Sequence, residues 1–228
     1  MTDRMTLAAT IAGNAPANTI NLPNGDSNRR NRSSKPRVSR KRTALVNTAM
    51  RLFYGEGYHA VGIDRILEEA KVSKPTLYAH FKSKDDLIVA ALRQRDVEAR
   101  EFFSERLRQH GGTVRAGLLY LFDLLGEWIN SPEFKGCLFI NASAEYAHHE
   151  NPVHQAAAEH KLAFREMIAN EAAAAGIADA DALAGRLMLL VDGLVVTCQV
   201  LPNPNAVRIA KEMAGMLIDA ARDCTAEA

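Results

Sequence analysis

Cysteine is scarce in this chain of 228 residues. Cys137, Cys198 and Cys224 are too few and too scattered for a disulfide framework, and no Cys-x-x-Cys pair is present to build a zinc module. A reducing compartment, the cytoplasm, is therefore expected. Long apolar runs are missing too. The best candidate, Leu187 to Val200, is interrupted by Asp192 and Gln199 and falls short of the ~18–20 uninterrupted residues of a membrane-spanning helix. Residues 1–15 lack the hydrophobic region of a signal peptide. No stretch alternates apolar and polar residues as a strand would. A Gly-rich nucleotide loop, a Ser-His-Asp order and a carboxylate pair are likewise absent, so the chain is expected to be no enzyme and to need no cofactor.

What the chain does have is a divided charge. Residues 1–82 carry fourteen Lys and Arg against six Asp and Glu, whereas residues 83–228 carry fourteen against twenty-one, so a net charge of +1 hides a basic front and an acidic rear. This asymmetry suits a nucleic-acid-binding head on a body with another task. Residues 1–35, rich in Asn, Ala, Gly, Pro and Ser, are expected to be disordered. They lead into Arg29, Arg30, Arg32, Lys35, Arg37, Arg40, Lys41 and Arg42, a basic arm that suits phosphate contact or minor-groove insertion, or serves only to solubilise.

Helical periodicity begins after Ser39, a candidate N-cap, and runs through Leu45, Ala49, Leu52 and Phe53 to Gly55 and Gly57. A second helix is expected over 63–70, a turn at Lys71-Val72, and a third helix over 74–81, capped by Ser73 with Pro75 in its first turn. Two short helices on a tight turn are the layout of a helix-turn-helix. Leu77 and Phe81 face inward, leaving Lys74, Thr76, Tyr78 and His80 outward. There Lys74 meets phosphate, Thr76 a base edge or a thymine methyl, and Tyr78 the backbone. Ser83 should cap a long fourth helix to about Gln109. Further helices are expected at 113–129, 138–147, 151–175, 181–200 and 205–223. The fold class is all-α: a disordered arm (1–35), a helix-turn-helix domain (36–83) and a helical body (84–228).

The stretch Leu52-Phe53-Tyr54-Gly55-Glu56-Gly57-Tyr58, then Ile66, Val72 to Phe81 and Ser83-Lys84-Asp85-Asp86-Leu87 resembles the head of the TetR family of transcriptional regulators, in order and spacing, across about residues 40–95. The resemblance implies that helix 74–81 enters the major groove of double-stranded DNA. Arg42, Gly62, Ser73, Lys74, Pro75, Thr76, Tyr78, His80 and Lys84 would lie on the DNA, Lys84 gripping a phosphate. Two positions depart from the family pattern. Val61-Gly62 stands where a Thr-Ser pair often caps the second helix, leaving the Gly62 N–H as the donor. Lys71 stands in the turn where the family favours Gly.

Gly136 to Glu145 followed by Asn151-Pro152 resembles one subgroup of TetR-type bodies. That resemblance implies a small-molecule pocket and a homodimer formed by two helices, here about 181–200 and 205–223, reading a palindromic operator. Leu183, Leu187, Leu190, Leu194 and Val195, with Val207, Ala210, Met213 and Leu217, would form the dimer faces, or pack within one subunit. Phe122, Trp128, Phe139, Phe164 and Met167 could line the pocket or be plain core. Asn141 and Glu145, four apart on one helix, could bind an effector's polar group or bond inside the core. His148, His149, His154 and His160 lack metal-ligand spacing, and no metal is expected. The expected function is a repressor released by a small-molecule effector. Its rivals are a regulator without an effector and an all-α enzyme.

Overall fold

The computed structural model describes residues 39–174 and 176–226, with side chains to 222 apart from that of residue 175. The basic arm expected over 1–35 lies outside the described residues. Among the described residues nine helices follow in order: α1 (Arg40–Glu56), α2 (Ile63–Ala70), α3 (Lys74–His80), α4 (Lys84–His110), α5 (Val114–Ile129), α6 (Leu138–Glu145), α7 (Pro152–Ala174), α8 (Ala180–Val200) and α9 (Ala206–Ala226). Among the described residues there is no strand.

Local chemistry explains most boundaries. α1 stops at Gly57, whose φ of 93° releases the helix while its N–H bonds back to the Phe53 carbonyl. The Ser83 side chain accepts from the Asp86 N–H, and the Asp86 carboxylate accepts from the Lys82 N–H, so the start of α4 is held reciprocally. Thr113 caps α5 and Asp179 caps α8 in the same manner. Two expected caps behave differently. The side chains of Ser39 and Ser73 make no capping bond, and the Ser73 hydroxyl pairs with that of Thr76 at 2.9 Å. α6 stops at Glu145, two residues earlier than its periodicity suggests, because Tyr146 leaves helical geometry.

One apolar core runs through head and body. α1 packs on α4, which packs in turn on α5 and α7; α8 lies between α7 and α9, and α9 closes against α5. The α5–α9 seam is tight: a Cβ on Gly126 would meet Val207 at 2.9 Å. Lys211–Asp123 and Arg115–Asp219 pairs, both at 2.6 Å, flank it. α8 is long and apolar enough to cross a membrane by length and composition alone, yet 44% of it is buried against neighbouring helices. Its Asp192 pairs with Lys161 of α7 at 2.5 Å.

Candidate DNA interface and ligand cavity

In the head, Leu77 is fully buried, and Phe81 and Val72 are nearly so, which fixes the rotation of α3. Ser73, Lys74, Pro75 and Tyr78 are then exposed, Thr76 and His80 half-buried. Tyr78 keeps 47% of its surface open, which is large for an aromatic residue with no partner to cover it. Lys74 reaches Asp64 of α2 at 3.5 Å across open surface, a contact too exposed to hold it. Gly62 is the extended N-cap of α2, exposed, with nothing within 4 Å of where a side chain would sit. Lys71 takes the left-handed conformation, φ 54°, that a non-glycine residue adopts at a cost.

The remaining predicted contacts sit at the edges of this face. Arg42 lies with its guanidinium 5.2 Å from the centre of the Phe81 ring, over the end of α3. Lys84 stands at the start of α4 with its ammonium 6.0 Å from the Phe53 ring centre. Partial burial lowers its pKa, against the pull of Asp85 and Glu145.

In the body, a cavity of about 60 Å³ opens between α1, α4, α5, α6, α7 and α8. Trp128, Phe139 and Phe164 are on its wall, together with Tyr54, Arg95, Phe103, Cys137, His160 and Lys161. The other four residues expected in a pocket lie elsewhere. Phe122 is fully buried core, and Met167 packs half-buried against the core, because α5 and α7 turn those positions away from the opening. Asn141 donates to the Lys135 carbonyl at 3.2 Å and accepts from Gln199 at 3.0 Å, and lines a separate, open cleft with Phe134, Lys135, Gln199 and Pro202. Glu145 points to the head.

Glu145 is a junction between the two parts. Its carboxylate accepts from the Tyr58 N–H at 2.8 Å and the His59 N–H at 2.6 Å, and meets the His59 ring at 2.8 Å. Burial raises its pKa, but these donors outweigh that and hold it below the usual range. Around it the Tyr58 hydroxyl donates to the Leu138 carbonyl, the Lys135 N–H donates to the Tyr54 hydroxyl, and the Tyr146 hydroxyl donates to Asp85. α6 thus has one end on the cavity, at Cys137, Leu138 and Phe139, and the other on the head.

Two buried polar groups escaped the sequence reading. Arg95, 3% exposed, lies on α4 and is not singled out by the sequence pattern. His160 is buried, stacked on Phe139 at 3.5 Å between ring centres, with Nδ1 2.8 Å from Asp96. Its burial holds its pKa below the ordinary value. His149 and His154 approach to 2.9 Å at the surface. Among the described residues no three His, Cys, Asp or Glu converge on a point.

Of the two alternatives for the faces of α8 and α9, most of the residues named take packing within one subunit. Leu183, Leu187, Leu194, Val195 and Ala210 are buried within the subunit, and Leu190, Val207 and Leu217 are partly buried against its core. Met213, also expected there, stays open, and with Leu189, Val196, Val200, Ile209 and Met216 it makes up the exposed apolar set of the same two helices.

Residues 45–91 match the family model for bacterial regulatory proteins of the tetR family, and residues 115–214 the model for the tetracyclin repressor-like C-terminal domain. The crystal structure of a TetR-family transcriptional regulator from Streptomyces coelicolor superposes with a TM-score of 0.68 at 34% identity, over 81% of this chain and 95% of that one. Among curated relatives, the transcriptional activator FasR of Mycolicibacterium smegmatis is 46% identical over 76 residues, a third of each chain (33% and 33%). The transcriptional repressor NemR of Escherichia coli is 29% identical over 105 residues, 46% of this chain and 53% of its own. The matches thus span between about a third and a half of these two curated relatives. With both family models in sequence order on a matching fold, the chain belongs to the TetR family and is a DNA-binding transcriptional regulator.

Proposed function

We propose that the protein is a homodimeric repressor that grips a palindromic operator with two heads and releases it when a small molecule enters the body. The observation that carries this reading is the shared wall of the cavity: Tyr54 belongs to α1 of the head, and Arg95 and Phe103 belong to α4 of the body. At about 60 Å³ the opening is smaller than the ~150 Å³ cavity that accommodates benzene. An effector must therefore spread the walls, and the displacement passes directly to α1 and, through α6, to the loop at Tyr58-His59. A ligand that fits only the spread form shifts the population away from the DNA-binding one.

The open apolar face of α8 and α9 supports the dimer. Leu189 is 76% and Met216 71% exposed. Gly185 and Gly193 on the same side of α8 leave open space where side chains would stand, so a partner helix can approach closely. Such a patch on two adjacent helices suits a self-complementary four-helix contact. Two heads then read two half-sites.

The test is a gel-shift titration on genomic fragments selected by the wild-type protein. Lys74→Ala and Tyr78→Phe should each weaken binding, K74A with a shallower salt dependence because one phosphate contact is lost. Wild-type affinity in both variants would remove α3 from the interface.

A further inference from the structure

Each polar side chain on the cavity wall already has a partner, and this selects what can enter. Arg95 pairs with the Glu98 carboxylate at 3.4 Å. Lys161 and Asp192 both line the cavity and cancel each other at 2.5 Å, and the Lys161 ammonium also hydrogen-bonds to the Cys137 side chain. His160 stays neutral, since burial disfavours its charged form, and its Nδ1–H donates to Asp96 at 2.8 Å. Asp96 is in turn paired with Arg100 at 2.7 Å. The Tyr54 hydroxyl accepts from the Lys135 N–H at 2.9 Å and hydrogen-bonds to the Trp128 side chain. The wall therefore carries charge of both signs, in pairs, with none of either sign to spare.

What the cavity does offer is ring surface. Phe103 and Phe164 meet edge to face, with 5.1 Å between ring centres and 90° between planes. Phe139 lies flat on His160 at 3.5 Å, and His160 reaches Phe164 at 5.8 Å. All four side chains line the cavity, so they form a continuous chain of rings on its wall. Such rings favour a further ring set edge-on or offset against them over an aliphatic group of equal size. Met188 borders the same space, and its unbranched side chain can change shape to suit what it packs against.

We infer that the effector is an uncharged molecule built on a single aromatic ring, held by ring contacts and not by an ion pair. This deepens the effector reading above and rests on it. A carboxylate would have to draw Lys161 away from Asp192, and a cation would have to draw Asp192 away from Lys161. Taking one partner from a buried pair is costly, because the charge left behind is uncompensated. A neutral ring leaves each pair in place and asks only that apolar side chains move aside. The opening of about 60 Å³ restricts the fit to one ring, admitted as Met188 and the phenylalanines give way.

The full chain should be titrated calorimetrically at neutral pH with benzyl alcohol and acetophenone, with benzoate and benzylamine as charged counterparts of similar size, and with cyclohexylmethanol as the aliphatic one. The two neutral aromatics are expected to bind at least tenfold more tightly than benzoate or benzylamine, and severalfold more tightly than cyclohexylmethanol. Phe164→Leu should bring benzyl alcohol and cyclohexylmethanol to within about twofold of each other. Asp192→Asn removes the carboxylate that answers Lys161, and should raise benzoate affinity at least fivefold while leaving benzyl alcohol within about threefold. Should either variant fail to fold, the wild-type ratios among these compounds decide alone. Benzoate or benzylamine bound as tightly as benzyl alcohol, equal binding of cyclohexylmethanol, or no binding of either neutral aromatic would overturn the inference. Gel shifts with the same compounds separate it from the release mechanism: a charged compound that binds tightly and releases DNA sinks the neutral ring and spares release, whereas neutral aromatics that bind without affecting DNA do the reverse.

Discussion

Replacing Glu145 by glutamine keeps the side chain's shape and removes its charge, which isolates the junction between head and body. The carboxylate accepts three contacts, and a glutamine can offer one acceptor oxygen while turning an NH₂ toward the remaining donors. The Tyr58 N–H is the partly buried one at 2.8 Å, and a hydrogen bond to a charged group there contributes about 1.5–3 kcal/mol. The two His59 contacts are exposed, and water replaces them, so together they add about 0–1 kcal/mol. E145Q should therefore destabilise the chain by about 1.5–4 kcal/mol, read as a fall in Tm of roughly 3–16 °C for a chain of this size. A second readout separates packing from coupling. The variant should bind ligand like the wild type yet release DNA less completely, because the far end of α6 no longer holds the Tyr58-His59 loop. A Tm within a degree of wild type together with unchanged ligand-driven release would refute the junction.

Three further outcomes follow from the same structure. Lys71→Gly should raise stability by about 1 kcal/mol, because the left-handed φ of 54° costs a lysine roughly 1–2 kcal/mol that glycine does not incur, less its greater unfolded-state entropy; a lower midpoint in urea would contradict this. The His160 pKa lies below its ordinary 6.5 in the folded chain, so its contribution to stability is present above that value and is lost as pH falls below it. Wild type should accordingly lose Tm between about pH 7 and pH 5 more steeply than His160→Asn; parallel slopes would exclude His160 as the cause. Leu189→Asp with Met216→Asp should yield a monomer in sedimentation while leaving the fold intact, and a dimer of unchanged strength would move the interface elsewhere.

The helix-turn-helix was legible in the sequence because everything that builds it is local. The inward stripe of Leu77 and Phe81, the glycine that ends α1, the Pro75 that opens α3 and the cap at Ser83 act over three or four residues, the range on which helical periodicity and capping operate. Even the Lys71 departure from the family pattern marked the one non-glycine residue with positive φ among those described. The body resisted the same reading. Asn141 and Glu145 share a helix face by spacing, yet one bonds toward α8 and the other toward the head, a split that depends on partners 58 and 87 residues away. Periodicity marked Leu187 and Leu194 as apolar, but an apolar stripe has the same pattern whether a neighbouring helix or a second subunit covers it. Only packing separates those buried residues from the open face at Leu189 and Met216. Arg95 shows the limit most sharply: in sequence it is one charge among many on α4. It becomes a buried cation on a cavity wall because α1, α5, α6 and α7 converge around it. The sequence by itself thus determined the helices and the DNA-reading head, whose causes are short-range. The tertiary structure alone decided which side chains meet in the body, since burial and the lining of a cavity arise from segments distant in the chain.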